Sequence, residues 1–100
     1  CIRMTVFAVE YVYDAESSEA RDATRPAHRE WTAALAQEGT LLASGPYTDG
    51  AGALLLFKAA DEQALNELLK QDPYAGTGAV SGTRTMAWAP VTGLLADHQA

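Results

Sequence analysis

Two short runs constrain this chain more than anything else in it. Residues 4–13 read as a strand, with Val6, Ala8 and Val12 on one face and Phe7, Val9, Tyr11 and Tyr13 on the other. Only Glu10 breaks the apolar pattern. Residues 53–58, Ala-Leu-Leu-Leu-Phe-Lys, are apolar on both faces in the same way. A strand with two apolar faces has to be covered on both sides. Both runs therefore belong in the middle of a sheet, and the rest of the chain has to supply the cover.

The other elements follow in order. Residues 14–22 are acidic and serine-containing, and read as a solvated connector. Pro26 suits the first position of a helix, where its missing N–H costs nothing. That sets a first helix over residues 26–38, capped by Thr24 or Arg25, with Ala27, Trp31, Ala34 and Leu35 on its apolar side and Gly39 just past its end. Residues 40–44 read as a second strand and residues 45–52 as a turn-rich loop. Asp61 is a natural cap for a second helix with Leu65, Leu68 and Leu69 as its buried stripe. Pro73 ends that helix, because the residue before a proline avoids the helical region. Residues 75–82 are a small-residue loop, and residues 83–88 a last strand that Pro90 stops. Residues 91–100 form a tail, with a helix expected over residues 92–97.

The order is β-α-β-β-α-β, the ferredoxin-like arrangement of two split βαβ units. It implies an α+β fold: a four-stranded antiparallel sheet with the first and third strands central and two helices on one face. The two apolar strands occupy the central positions this arrangement requires. The helices cover only one face, and an exposed apolar face marks an interface. The expectation is a homodimer through the open sheet face, a dimeric α+β barrel.

Length and composition set the outer limits. One hundred residues make one domain, spanning residues 1–100, with enough chain for a single core. No run is long enough to span a membrane, and no secretory leader is visible at the start. Cys1 is the only cysteine, which leaves no disulfide framework and points to a cytoplasmic location. Met4 is one candidate for the natural start, which would leave Cys1, Ile2 and Arg3 upstream of it. The formal net charge of −6 argues against nucleic acid as a partner, since phosphate binding relies on Lys and Arg. The basic residues are nonetheless unevenly placed. Arg21, Arg25 and Arg29 are spaced by four around the first helix start, where like charges repel unless something negative offsets them. Glu19, Asp22 and Glu30 are the ordinary candidates, and an anionic ligand is the other.

Topology brings the chemistry to one place. With the first strand running up, the start of helix one, the end of helix two, the end of strand one and the loop after strand two all lie at one end of the sheet. Arg25, His28, Asp72, Tyr74, Tyr11 and Tyr13 converge there, with the loop over residues 45–52 beside them. A carboxylate facing a histidine fixes the imidazole tautomer, and histidine titrates near working pH. The positive end of the helix, with Arg25, would attract an anionic ligand. The ordinary readings stand beside this. A histidine near a helix start is usually a cap or filler, Asp-Pro usually a turn, and Trp31 and Trp88 core or interface groups. There is no HExxH, no Cys/His cluster and no paired acid motif, so neither a metal site nor a cofactor is expected. Ser44-Gly45-Pro46 does not make a nucleophile elbow.

Read together, Arg25-Pro26-Ala27-His28, Leu35, Gly39, Leu42-Ala43-Ser44-Gly45-Pro46, Phe57-Lys58-Ala59, Asp72-Pro73-Tyr74 and Trp88-Ala89-Pro90 resemble the YciI-like (YCII-related) proteins. The resemblance runs from about residue 4 to residue 90. It implies the ferredoxin-like fold assembled as a dimeric α+β barrel, and an active site built on a His and an Asp, which fall on His28 and Asp72. Arg25 matches the arginine before that histidine, and Ser44 and Gly45 the segment bordering the pocket. The wider superfamily includes lactone isomerases, haem-degrading enzymes and cofactor-free monooxygenases, and dehydrohalogenase-type chemistry has been attributed within the family. The expected function is a small cytosolic enzyme using His28 and Asp72 for acid–base chemistry of a lyase or isomerase type. Its ligand is expected to be an anionic or phenolic small molecule contacted by Arg25, Ser44, Gly45, Tyr11 and Tyr74. The alternative is a non-catalytic small-molecule-binding or interaction module of the same fold.

Overall fold

The computed structural model describes residues 4–98. Cys1, Ile2 and Arg3, whose place relative to a start at Met4 was in question, lie outside the described residues, as do residues 99 and 100. Strand β1 covers Thr5–Val12, helix α1 Ser18–Glu38, strand β2 Leu41–Pro46, strand β3 Gly52–Ala59, helix α2 Glu62–Leu69 and strand β4 Gly82–Trp88. The sheet is antiparallel with order β2-β3-β1-β4. The two strands with two apolar faces are thus the central pair, as the expected ferredoxin-like α+β fold requires.

Register separates the two faces. Phe7 pairs with Phe57, Val9 with Leu55 and Tyr11 with Ala53. These side chains join Leu35 of α1, Leu65 of α2, Leu41, Tyr74 and Ala79 in one buried cluster. Trp31 packs on its edge, its ring 5.9 Å from that of Phe57. The opposite face carries Val6, Ala8, Leu54, Leu56, Met86 and Trp88, with Glu10 and Arg84 paired among them. Met86 and Trp88 are 47% and 43% exposed.

The start of α1 differs from the expectation. Residues 14–22 are not a solvated connector, and Pro26 is not the first helical residue. A 3₁₀ turn over Ala15–Ser17 runs straight into α1, which begins at Ser18 and carries Pro26 in its interior. The turn is held by a capping box: the Ser17 N–H donates to Asp14 Oδ1 at 2.9 Å, and Ser17 Oγ accepts from the Asp14 N–H. Arg21 then ties the new first turns to the body of the protein through the Asp14 and Ala79 carbonyls. An interior proline costs an isolated helix about 3 kcal/mol. Here tertiary contacts offset it.

Smaller differences lie at the strand ends. β2 continues through Gly45 and Pro46, because it is an edge strand and a proline there disrupts no inner ladder. The register of β2 shifts between Leu41 and Ala43, a bulge on that edge. Gly39 ends α1 as expected, in the left-handed conformation at φ 85°. Asp61 caps α2 by accepting from the Ala64 N–H at 2.8 Å. The tail forms no α-helix over residues 92–97; it makes only a 3₁₀ turn at Ala96–His98. Among the described residues no helix is long and apolar enough to cross a membrane.

Candidate active site

Three elements build the site. α2 ends at Leu69, and the following Asp72-Pro73-Tyr74 turns the chain so that the Asp72 carboxylate accepts the Tyr74 N–H at 2.9 Å. This is the local bond an Asp makes two residues ahead in a turn. It points the carboxylate inward, where Asp72 is only 3% exposed. From β1, the Tyr11 hydroxyl donates to Asp72 Oδ2 at 2.6 Å. From α1, His28 Nδ1 lies 2.7 Å from Asp72 Oδ1. The Tyr74 ring stacks flat on the His28 ring, 4.0 Å between centroids and 5° between planes. The imidazole is therefore fixed by a carboxylate at one edge and an aromatic face at its side.

This geometry sets what the ring can do. If Asp72 is a carboxylate and the imidazole neutral, a hydrogen bond across this contact puts the proton on Nδ1 and leaves the Nε2 lone pair free. Burial, together with the hydrogen bond to Asp72, pushes the Tyr11 phenol far above its ordinary pKa. Tyr11 therefore stays a donor across the working range.

His28 opens on a cleft of about 450 Å3 between α1 and strands β2 and β3. Small-molecule sites have volumes of this order. Its polar lining includes Arg21, Arg25, Arg29, Thr32 and Ser44, with Leu55, Pro46, Tyr13 and Tyr74 as apolar walls. Three of the seven Lys and Arg residues line it, and no carboxylate does. In a chain with thirteen acidic residues that is a local reversal of charge. Asp72 itself lines a second cleft, with Tyr11, Lys70 and Thr83.

The expected site residues divide accordingly. His28, Arg25, Ser44, Gly45 and Tyr74 all border the arginine cleft. Tyr11 does not; its hydroxyl donates to Asp72 and it lines the second cleft with that residue. Arg25 pairs with Asp22 at 2.9 Å, and that hydrogen bond raises its pKa. His28 sits in mid-helix, so the positive helix end that was expected to oppose its charge and attract the ligand is not beside it. Sequence reasoning singled out Arg21 only as one of three spaced arginines. Its burial depends on a carbonyl 58 residues away, at Ala79, which no local pattern reveals. Among the described residues no group of three His, Cys, Asp or Glu side chains is placed to hold a metal ion.

The chain is similar to known proteins in sequence and in fold. A protein of Emericella nidulans described as derivative of benzaldehyde biosynthesis cluster protein C is 34% identical over 84 aligned positions, covering 73% of this chain and 86% of the relative. The 5-chloro-2-hydroxyhydroquinone dehydrochlorinase of Burkholderia phenoliruptrix, solved in complex with 2,5-dihydroxybenzoquinone, superposes with a TM-score of 0.73 at 18% identity, over 83% of this chain and 92% of that one. At that identity the superposition speaks for the fold alone. The YCII-related domain family matches residues 6–89, and the chain belongs to that family.

Proposed function

We propose that this protein is a small-molecule-processing enzyme in which His28, oriented by Asp72, moves a proton on an anionic or phenolic ligand held in the arginine cleft. The observation that carries the reading is the join between the two features: the one imidazole tied to a buried carboxylate also borders a cleft lined by three arginines and no acid. Nε2 takes the proton from a ligand C–H or O–H. In a lyase-type step the freed electron pair expels a leaving group; in an isomerase-type step it shifts a double bond and the imidazolium returns the proton at the far end of the shifted bond. Asp72 balances the imidazolium that forms. Arg25, Ser44 and the Gly45 backbone border the ligand, and Tyr74 holds the imidazole plane.

The names of two similar proteins fit the ligand class of this reading. One acts on a chlorinated hydroxyhydroquinone and binds a quinone, and another comes from a benzaldehyde biosynthesis cluster. Hydroxylated aromatics are acidic, planar and small enough for the cleft. The open sheet face, with Met86 and Trp88 exposed, supports pairing of two copies through that face.

The test is turnover of hydroxylated and chlorinated aromatics, beginning with 5-chloro-2-hydroxyhydroquinone and chloride release. The wild type is expected to turn over a member of this class, and His28→Gln to lose about a hundredfold or more in kcat. Binding without turnover, with the ligand recovered unchanged from wild type and His28→Gln alike, would replace the enzyme with a binding module.

A further inference from the structure

Among the described residues, Arg21 is a buried cation without a counter-charge. It is 8% exposed, and its guanidinium carbon lies 4.2 Å above the Tyr13 ring. One terminal nitrogen, Nη1, makes all of its hydrogen bonds among the described residues: to the Asp14 carbonyl at 3.3 Å, to Ser17 Oγ, and to the Ala79 carbonyl at 3.2 Å. Every one of these acceptors is neutral. No carboxylate among the described residues lies within ion-pair distance of it. Taking a charge out of water without a partner is costly. Neutral acceptors and a tyrosine face recover only part of that.

The remaining edge of the guanidinium is the informative part. Nε and Nη2 make no hydrogen bond among the described residues, and Arg21 lines the cleft beside His28. That side edge is the one that grips two oxygens of a planar anion at once. Holding the 3₁₀ turn and the Ala79 loop together needs only Nη1, so this edge is left free for a partner in the cleft. Arg25 is differently placed. Its side chain is 40% exposed and already paired with Asp22. Arg29 lies in water on the same helix face. Exposed cations are screened, whereas a buried one meets its ligand at low dielectric.

We propose that Arg21 is the anion-recognition group of the cleft, gripping a carboxylate or an ionised phenol on a planar aromatic ligand whose ring lies against the apolar walls at Tyr13, Leu55 and Pro46. The proposal rests on the cleft being the ligand site, and it names the residue and the ligand charge that select what enters. It needs no proton transfer at His28.

The experiment compares benzoate with its neutral isostere benzamide by calorimetric titration at low salt. Wild type should bind benzoate at least tenfold tighter than benzamide. Arg21→Gln should erase that preference while leaving benzamide affinity within about twofold, and Arg25→Gln should keep most of it. Equal binding of the two probes by wild type, or a preference that survives Arg21→Gln, overturns the proposal. Because Arg21 also anchors the start of α1, the same question is put to the unmutated protein. On titration with benzoate, the Arg21 Nε–H resonance should shift more than those of Arg25 and Arg29. An unmoved Arg21 resonance contradicts the assignment. A catalytically inert protein that still prefers benzoate through Arg21 would separate this result from failure of the acid–base reading.

Discussion

The Tyr11 hydroxyl donates to Asp72 Oδ2 at 2.6 Å, across 61 residues of sequence, and so leaves Oδ1 to His28 and the Tyr74 N–H. The carboxylate is held at both oxygens before any ligand arrives. Its direction toward the imidazole is thus a property of the folded core, set by β1 and by the turn after α2 together.

Tyr11→Phe removes the donor to Oδ2 without changing the ring. A hydrogen bond to a buried carboxylate is worth about 1–3 kcal/mol, and urea unfolding at pH 7 should show a loss of that size. The pH dependence has a definite sign. The folded-state pKa of Tyr11 is raised above its ordinary value of 10.0 by burial and by the Asp72 bond. The folded protein therefore keeps a proton that the unfolded chain gives up. The resulting stability is complete below about pH 10 and is lost as pH rises further. Tyr13, also raised by burial, acts in the same direction. Unfolding followed from pH 8 to pH 11 should show a decline in wild type and a shallower one in Tyr11→Phe.

Gly52 lies opposite Val12 on β3, where the backbone of β1 passes close by. A Cβ at this position would sit 2.1 Å from the Tyr11 carbonyl oxygen. Backbone cannot swing aside as a long side chain can, so Gly52→Ala should cost about 3 kcal/mol, the upper end for overpacking. Thermal unfolding checks the cost. Because the strand that moves carries Tyr11, the His28 ring resonances should shift as well. A variant as stable as wild type would mean that the strands separate without strain.

The dimer reading makes a mass prediction. Wild type should sediment at twice the 10.6 kDa of the chain. Trp88→Glu places a charge on the exposed apolar face beside Met86 and should sediment as a monomer while keeping the far-ultraviolet spectrum of the folded chain. Wild type sedimenting as a monomer at high concentration would contradict pairing through this face.

Much of the fold was legible because β1 and β3 carry unusual patterns. Apolar residues on both faces demand central positions, and the helical stripes at Leu35 and Leu65 supply cover for one face only. The meeting of His28 with Asp72 at one rim followed from strand direction. The hydrogen bonds did not. Topology brings Tyr11 to the rim, but its side-chain direction, shared with Val9 and Phe7 into the core, is what turns the phenol onto Asp72. Pro26 misled for a related reason. Its preference for a helix start is local, whereas the Asp14–Ser17 capping box and the reach of Arg21 to Ala79 extend the helix behind it. Contacts at long sequence separation override local rule in each case.

The protonation of His28 is the most direct test of the acid–base account. Nitrogen-15 NMR on histidine-labelled protein has to distinguish only His28 and His98, and 2,5-dihydroxybenzoquinone serves as the added ligand. The account predicts that neutral His28 carries its proton on Nδ1, that Asp72→Asn disturbs this preference, and that the free Nε2 resonance moves when the quinone binds. A neutral His28 protonated on Nε2, or an Nε2 resonance indifferent to saturating quinone, would contradict it.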